Sequence, residues 1–454
     1  MATAPRTPAQ RRLRGLLVSS GLASGAAWGA VGVSLAADAE ARAALTAHGS
    51  ADAEALWAPL LLLAALPLGS LIGAPVLDCV SHASGRRPAV LVCAGLTSIG
   101  CLGAACGGRL LAIVSVGVVG LGMGGDAIVV PKLAHELAEH GHRRLMPRVR
   151  AIAPAGAGLA LLAGVLATLL GTGQGVAAAW MVTLLAGLTC LLIALTLPET
   201  PHWYVTQGRI EAAYTALRRM VGDLEAAVGI DWVMMDTGTL GEQHPIGRGD
   251  LSIPRVRRTV VAGLMLEIAQ ALPLGLAALC LGPVLLAGKA EAVGDAGTTA
   301  RPAIAAALAA AWVMVGLLGT GRHGDHFPYA WILAGTGASA CGITLLALAD
   351  TAHGVGLMAL LIGVDVLLVA CQFLAVAPAC TGSIDPLVPP WLLRSQRRAA
   401  ATLRPLVQLI SVLVPALLLA LTPFPAAVGA VLSCQVLSLV VSVAALPWAL
   451  EALR

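Results

Sequence analysis

Three acids stand inside long apolar runs of this chain: Asp126, Glu267 and Asp365. A carboxylate at bilayer depth is costly to maintain, so one found there is read as functional unless shown otherwise. In a low-dielectric site it can take up a proton and carry it through a conformational cycle. Glu267 and Asp365 sit deepest by position and have two readings: proton carriers, or neutral acids hydrogen-bonded to a neighbouring helix. Asp126 lies about a turn and a half from the end of its apolar run, where it reads as a gate or a helix-end partner. The amides Gln270, Gln372, Gln408 and Gln435 share these surroundings and offer both donors and acceptors to a solute. Trp28 and Trp312 can line a cavity or anchor at the membrane interface.

A second group of charges lies between the apolar runs. Arg86, Arg87, Arg143, Arg144 and Arg209 fall near Glu136 and Glu199, and Asp385 and Arg394 occupy corresponding places later in the chain. Guanidinium and carboxylate groups pair as forks. Such pairs can latch one conformation at the end of a bundle; the plainer reading is a set of solvated anchor charges, each pair worth little. His135, Glu136, Glu139, His140 and His142 form a polar cluster in the same region. Loop histidines of this kind are ordinarily solvated, and no metal or cofactor is expected.

These residues must be positioned by helices that cross lipid. The chain has 454 residues, 58% hydrophobic and 11% charged. Soluble domains carry about 25% charged residues, and a globule cannot hide this much apolar surface. Spans of about 20 apolar residues fall at 15–37, 57–77, 88–107, 110–131, 151–171, 176–197, 258–287, 302–320, 328–349, 354–379, 402–422 and 426–447. The first, although preceded by Arg11, Arg12 and Arg14 like a signal peptide, is read as a retained helix. With the N-terminus inside, about 24 of the 28 Lys and Arg fall on the cytoplasmic side, leaving Arg42, Arg109, Lys289 and Arg301 outside. Both termini are then cytoplasmic. Arg outnumbers Lys and Ala dominates, which points to a GC-rich bacterial genome and hence a cytoplasmic membrane.

The polar segment 199–256 divides the chain into 1–198 and 257–454. It carries amphipathic stretches near 209–221 and 223–235. Glycines at Gly21, Gly25 and Gly29, and at Gly117, Gly120, Gly122, Gly124 and Gly125, allow close helix approach. They serve tight packing or let helices rock against one another. The ten Cys are scattered in apolar runs as small core residues,. No basic face for nucleic acid appears, and no phosphate loop, zinc-protease motif or nucleophile elbow marks an enzyme.

Several segments resemble the sugar-porter branch of the major facilitator superfamily. Leu197-Pro198-Glu199-Thr200-Pro201-His202-Trp203, followed by Gly208-Arg209 and Glu211-Ala212, is similar to P-E-S-P-R-W-L and G-R-x-x-E-A. Gly120-Leu121-Gly122-Met123-Gly124 with Pro131, Glu136 and Arg143-Arg144 resembles G-L-G-x-G, P-x-x-x-x-E and R-G. Gly73, Asp78 and Gly85-Arg86-Arg87-Pro88 resemble the G-x-x-x-D-R-x-G-R-R loop, with Asp78 displaced or His82 in the place of the aspartate. The second half matches more loosely, through Arg257-Arg258, Gly263, Gly324-Asp325, Pro378, Asp385, Arg394 and Glu451.

The resemblance implies an all-α protein of twelve transmembrane helices in two pseudo-symmetric six-helix bundles, with a central site facing each side in turn. It implies that helices 1, 4, 7 and 10 line the cavity, and all three acids fall on them. The departures are specific. Helix 1 lacks the family's aspartate, helix 4 lacks its arginine near Ser115, and of the helix 7 amides only Gln270 remains, in Gln270-Ala271-Leu272-Pro273. With few amides and 3% aromatic residues, the site fits an apolar or amphipathic metabolite better than a hexose. The expected partners are a small solute, a proton and the bilayer, with the chain monomeric. The other reading is a transporter-like protein that no longer transports and acts as a sensor, scaffold or enzyme on a lipophilic substrate.

Overall fold

The structure is a computed structural model. It describes residues 8–45, 53–138, 152–171, 174–221, 223–241 and 390–421, with isolated helical positions between 253 and 317 and at Val440. The elements in chain order are α1 Pro8–Ala37, α2 Ala39–Leu45, α3 Ala53–Ala83, α4 Arg86–Cys106, α5 Arg109–Ala138, α6 Ala153–Leu169, α7 Gly175–Thr196, α8 Pro201–Thr206, α9 Ile210–Val221, α10 Asp223–Gly241 and α11 Pro390–Leu421. Among the described residues, five helices (α1, α3, α4, α5 and α7) are long and apolar enough to cross a bilayer, and α6 is a shorter apolar helix. The six spans expected in the first half of the chain therefore all appear as helices.

Three of them, α1, α3 and α5, are longer than their apolar runs. α3 and α5, at 31 and 30 residues, are about 45 Å long, against roughly 30 Å for a bilayer core. Their extra turns carry Asp78, His82, Lys132 and Glu136. Helix persists there because these polar side chains find partners on neighbouring helices.

Outward-facing positions are large and apolar. Ile72 and Val76 on α3, Ile99 and Leu102 on α4, and Leu185, Leu188, Leu192 and Leu195 on α7 are all exposed, at spacings that place them on one helical face. Apolar surface in such continuous stripes needs a cover. Lipid supplies it, and it requires every backbone polar group to be satisfied within the helix.

α1 packs on α6 and α7, α5 packs on α3 and α4, and α4 packs on α7. Exchanging α1 with α5, α3 with α6 and α4 with α7 maps this pattern onto itself. That is the mark of a three-plus-three internal repeat. The equivalent pairs also share a means of contact. A Cβ on Gly25 would overlap the Ala153 carbonyl across the α1–α6 crossing, and one on Gly124 would overlap the Ser70 carbonyl across α5–α3. With little hydrophobic driving force between helices in lipid, contact at backbone distance supplies the attraction. α11, from the second half of the chain, packs mainly on α3, with smaller contacts to α2 and α5.

α9 and α10 cover the two stretches expected in the linker; α9 is amphipathic, whereas α10 exposes Trp232 and Met235 and runs on to Gly241. Leu217, Ala226 and Val233 form their shared core. The short α8, not drawn from the sequence, precedes them.

Gly25→Ala tests the backbone contact. Overpacking at such a crossing costs about 1–3 kcal/mol, read as a lowered Tm of the detergent-solubilised protein. Gly95→Ala, where nothing lies within 4 Å of an added Cβ, is expected to leave Tm unchanged.

Candidate functional site

Two constellations emerge: a charged network at one end of the six helices, and a cavity in their middle.

The network is built at the start of α4. Gly85 has φ 109°, a conformation L side chains rarely adopt, and a Cβ there would strike the Glu199 carboxylate. That approach brings Glu199 Oε1 to 2.9 Å from the Arg86 amide and Oε2 to 3.1 Å from the Arg87 amide. A carboxylate here satisfies otherwise orphaned N–H groups and opposes the positive end of the helix dipole. Burial pushes the Glu199 carboxyl above its ordinary value, against the pull of the amides of Thr200, Arg86 and Arg87.

The Arg86 side chain runs inward. Its Nε donates to Glu136 Oε1 at 3.1 Å and its Nη1 donates to the Ser81 carbonyl at 2.7 Å. Both charged side chains are buried. Thr200 Oγ1 donates to the other Glu136 oxygen at 2.6 Å. The Glu199-Thr200-Pro201 segment therefore closes on two helices at once, and Pro201 starts α8 where its missing N–H costs nothing. Trp203 Nε1 then donates to the His82 carbonyl at 3.1 Å, tying α8 to the end of α3. Arg87 caps the end of α7 through the carbonyls of Ala194 and Leu195, at 3.2 and 2.7 Å.

The expected guanidinium–carboxylate forks are corrected in form. Arg86 binds Glu136 through one nitrogen, Glu199 binds backbone amides, and Arg209 stacks over the Tyr204 ring at 5.5 Å. The helix termini compete for the same groups, and a carboxylate at an N-terminus or a guanidinium at a C-terminus satisfies several orphans together. Asp78 is the buried acid of its segment. It is paired with Lys132 of α5, while His82 is 37% exposed and lies 3.8 Å from it. Lys132 was not marked by the sequence reading; its position on the buried face one turn before Glu136 was the available signal.

The cavity measures about 180 Å³. Its wall includes Ser20, Ser24 and Trp28 of α1, Ser70 of α3, Thr97 of α4, Asp126 of α5, and Arg404 and Gln408 of α11. Asp126, Trp28 and Gln408 line one space. Asp126 Oδ2 accepts from Ser20 Oγ at 3.1 Å, while Oδ1 is buried without a hydrogen-bond partner. Ser70 and Thr97 spend their hydroxyl protons on carbonyls of Leu66 or Gly120 and of Cys93. Trp312 is fully buried in the apolar cluster that also holds Trp28, Val412 and Ala416, and is absent from the wall. Ser20 and Arg404 were missed in sequence: a serine in a small-residue helix is ordinarily packing, and Arg404 reads as a flank at the start of the 402–422 apolar run.

Arg143, Arg144, Glu267, Gln270, Asp365, Gln372 and Asp385 lie outside the described residues, as do Glu139, His140 and His142. Arg394 is placed on α11, with only its helical position described. Among the described residues, no group of three His, Cys, Asp or Glu is arranged to hold a metal ion.

The fold and the site together define a helical membrane bundle with a small, partly polar cavity. The profile of the "Sugar (and other) transporter" family matches residues 17–416, and the chain belongs to that family. It is 27% identical over 217 residues to the major myo-inositol transporter IolT of Bacillus subtilis (strain 168), covering 46% of this chain and 45% of that protein. A putative metabolite transport protein of the same organism, YwtG, matches at 27% over 216 residues, with the same shares of the two chains. The matched region spans about half the length of these relatives. Among solved structures, the proton:xylose symporter XylE bound to 6-bromo-6-deoxy-D-glucose superposes with a TM-score of 0.68 at 18% identity, covering 95% of both chains. A partially occluded inward-open form of XylE from E. coli also gives 0.68, at 16% identity over 96% of this chain and 98% of that one. The fold is therefore the twelve-helix major facilitator fold. The chain is a multi-pass membrane protein of this transporter family.

Removing Arg86 leaves Glu136 buried and unpaired. Arg86→Ala is expected to destabilise the protein by about 3–5 kcal/mol. The double variant Arg86→Met/Glu136→Leu is expected to recover most of that loss, since an apolar pair has no desolvation cost to offset. Thermal unfolding in detergent reads both.

Proposed function

We propose that the chain carries a small organic solute across the cytoplasmic membrane by alternating access, and that the cavity bounded by α1, α5 and α11 is its solute site. The observation that carries this reading is that one wall belongs to the first half of the chain and another to the second. A site shared in this way can open to either side as the halves rock. The halves are taken as bundles 1–198 and 257–454, joined by the linker 199–256. The Arg86–Glu136–Glu199 network is placed on the cytoplasmic side, with both termini, where it holds the end of the first bundle together. Arg143, Arg144, Asp385 and Arg394 are proposed to belong to the same face.

The named relatives concern myo-inositol and xylose. A polyol needs a donor or acceptor for each hydroxyl in a dry pocket, and here the hydroxyl protons of Ser70 and Thr97 are already committed. At 180 Å³ the space falls below the usual 300–1,000 Å³ of drug-sized sites. Both features favour a small amphipathic solute over a sugar. Glu267 and Asp365 are proposed as the acids through which a proton gradient acts, with Gln270 and Gln372 as further solute contacts. A cavity open to helices of both halves favours transport over a purely sensory or scaffolding role.

Counterflow in proteoliposomes tests this reading. Vesicles preloaded with a panel that includes myo-inositol, xylose and small amino and carboxylic amphiphiles are expected to accumulate at least one labelled member. Ser24→Trp, which fills the cavity, is expected to cut that exchange at least tenfold. Exchange of no member, or exchange indifferent to Ser24→Trp, contradicts the assignment.

A further inference from the structure

At the end away from the Arg86–Glu136 network the cavity has an apolar cap, and both halves of the chain supply it. On α11 the wall residues Arg404 and Gln408 are followed, at steps of about one turn, by Val412 and Ala416 of the buried apolar cluster,. On α1 the wall ends at Trp28, and Val31 and Leu35 carry the same cluster onward. Ala41 and Leu45 of α2 belong to it too. The short α2 therefore sits over the end of the cavity, packed against α1, α3 and α11.

A helix of 7 residues does not hold its shape alone in water, and this one is fixed by its neighbours. Ala41, Ala44 and Leu45 form its buried face,, and Ala44 packs with Leu56 of α3. Asp38, between α1 and α2, accepts from the amides of Glu40 and Ala41 at 3.0 and 3.1 Å, which caps the helix. Arg109 opens α5, about 40 Å along that helix from Glu136,. Its Nη2 donates to Asp38 Oδ2 at 2.9 Å and to Glu40 Oε2 at 2.8 Å. Among the described residues, these polar ties all run to the first half of the chain, whereas the apolar face of α2 also meets α11 of the second.

We propose that α2 is a strap that completes the outer seal of the cavity, and that Asp38 and Arg109 hold it in place. This rests on the reading of the cavity as the transport site and of the network end as cytoplasmic. A carrier must close one end of its site while the other opens. Tied to α5, the strap extends the first half's share of the seal, and α11 parts from it when the outer end opens. Asp38 and Arg109 are positioning residues: neither lies on the cavity wall, and their loss loosens the seal and leaves the wall as it was.

The test uses the full chain in intact cells, with Ser24→Cys as a reporter on the cavity wall and a membrane-impermeant thiol reagent added outside. Mass spectrometry reads modification at position 24 apart from the native cysteines. With α2 unaltered, modification is expected to be slow. Asp38→Ala is expected to speed it about fivefold, the factor that one lost helix cap corresponds to. Leu45→Ser, which spoils the apolar face, is expected to speed it as much. Arg109→Gln is expected to speed it about twofold, because exposed ion pairs are weak, and Arg109→Lys less than that. Arg218→Ala, which breaks an exposed ion pair with Asp223 in the linker, is expected to leave the rate unchanged. Should Asp38→Ala fail to reach the membrane, Leu45→Ser and Arg109→Gln decide. Fast modification with α2 unaltered, no modification in any variant, or one rate across the Asp38, Leu45 and Arg109 variants overturns the strap. The labelling rates judge the strap and the counterflow panel judges the transport site, so the two readings fail separately.

Discussion

Charge taken into a medium of low dielectric constant costs several kcal/mol per ion unless an opposite charge and further hydrogen bonds replace the lost water. In this chain the requirement is met completely in one place and incompletely in another. At the end of the first six helices, Arg86 has Glu136 and the Ser81 carbonyl, and Glu136 has Thr200 as well. Asp78 has Lys132. Breaking any one link strands a charge, so these helices are bound to one another at that end. In the cavity, Asp126 has half of what it needs. The first arrangement ties the helix ends together, and the second leaves one carboxylate oxygen of Asp126 buried without a hydrogen-bond partner.

Helix contact follows the same economy of polar groups. In lipid the helices keep their backbone bonds internal and attract one another by close approach. Glycines at the α1–α6 and α3–α5 crossings allow that approach, and the two crossings are equivalent under the internal repeat. Small residues of α1 and α5, Ser20, Ser24 and Gly124 among them, line the cavity, and Arg404 and Gln408 of α11 lie on its wall.

Much of this was legible in the sequence. Apolar runs of spanning length place six helices in the first half, because lipid demands length and hydrophobicity and little else. Leu197-Pro198-Glu199-Thr200-Pro201 and Gly85-Arg86-Arg87-Pro88 marked the segments that meet. What they do on meeting was not legible. A pattern of charges implies ion pairs, yet Glu199 takes backbone amides and Arg87 takes carbonyls, and backbone groups carry no signal in the letters of a sequence. The pairing of Lys132 with Asp78 crosses 54 residues and depends on both α3 and α5 running past the lipid. Trp28 and Trp312 looked alike and share one buried apolar cluster, and of the two Trp28 also lines the cavity.

Under the proposed alternating access, the first bundle moves as one body and the cavity opens between it and α11. Distances between spin labels, introduced as non-natural amino acids at outward positions, measure this directly. Val76 of α3 with Leu195 of α7 samples the bundle itself, and Leu195 with Leu406 of α11 samples the opening; all three are exposed. The account requires one narrow distribution for the first pair with or without solute, and two populations that change weight with solute for the second. A first pair that broadens or shifts together with the second would contradict it.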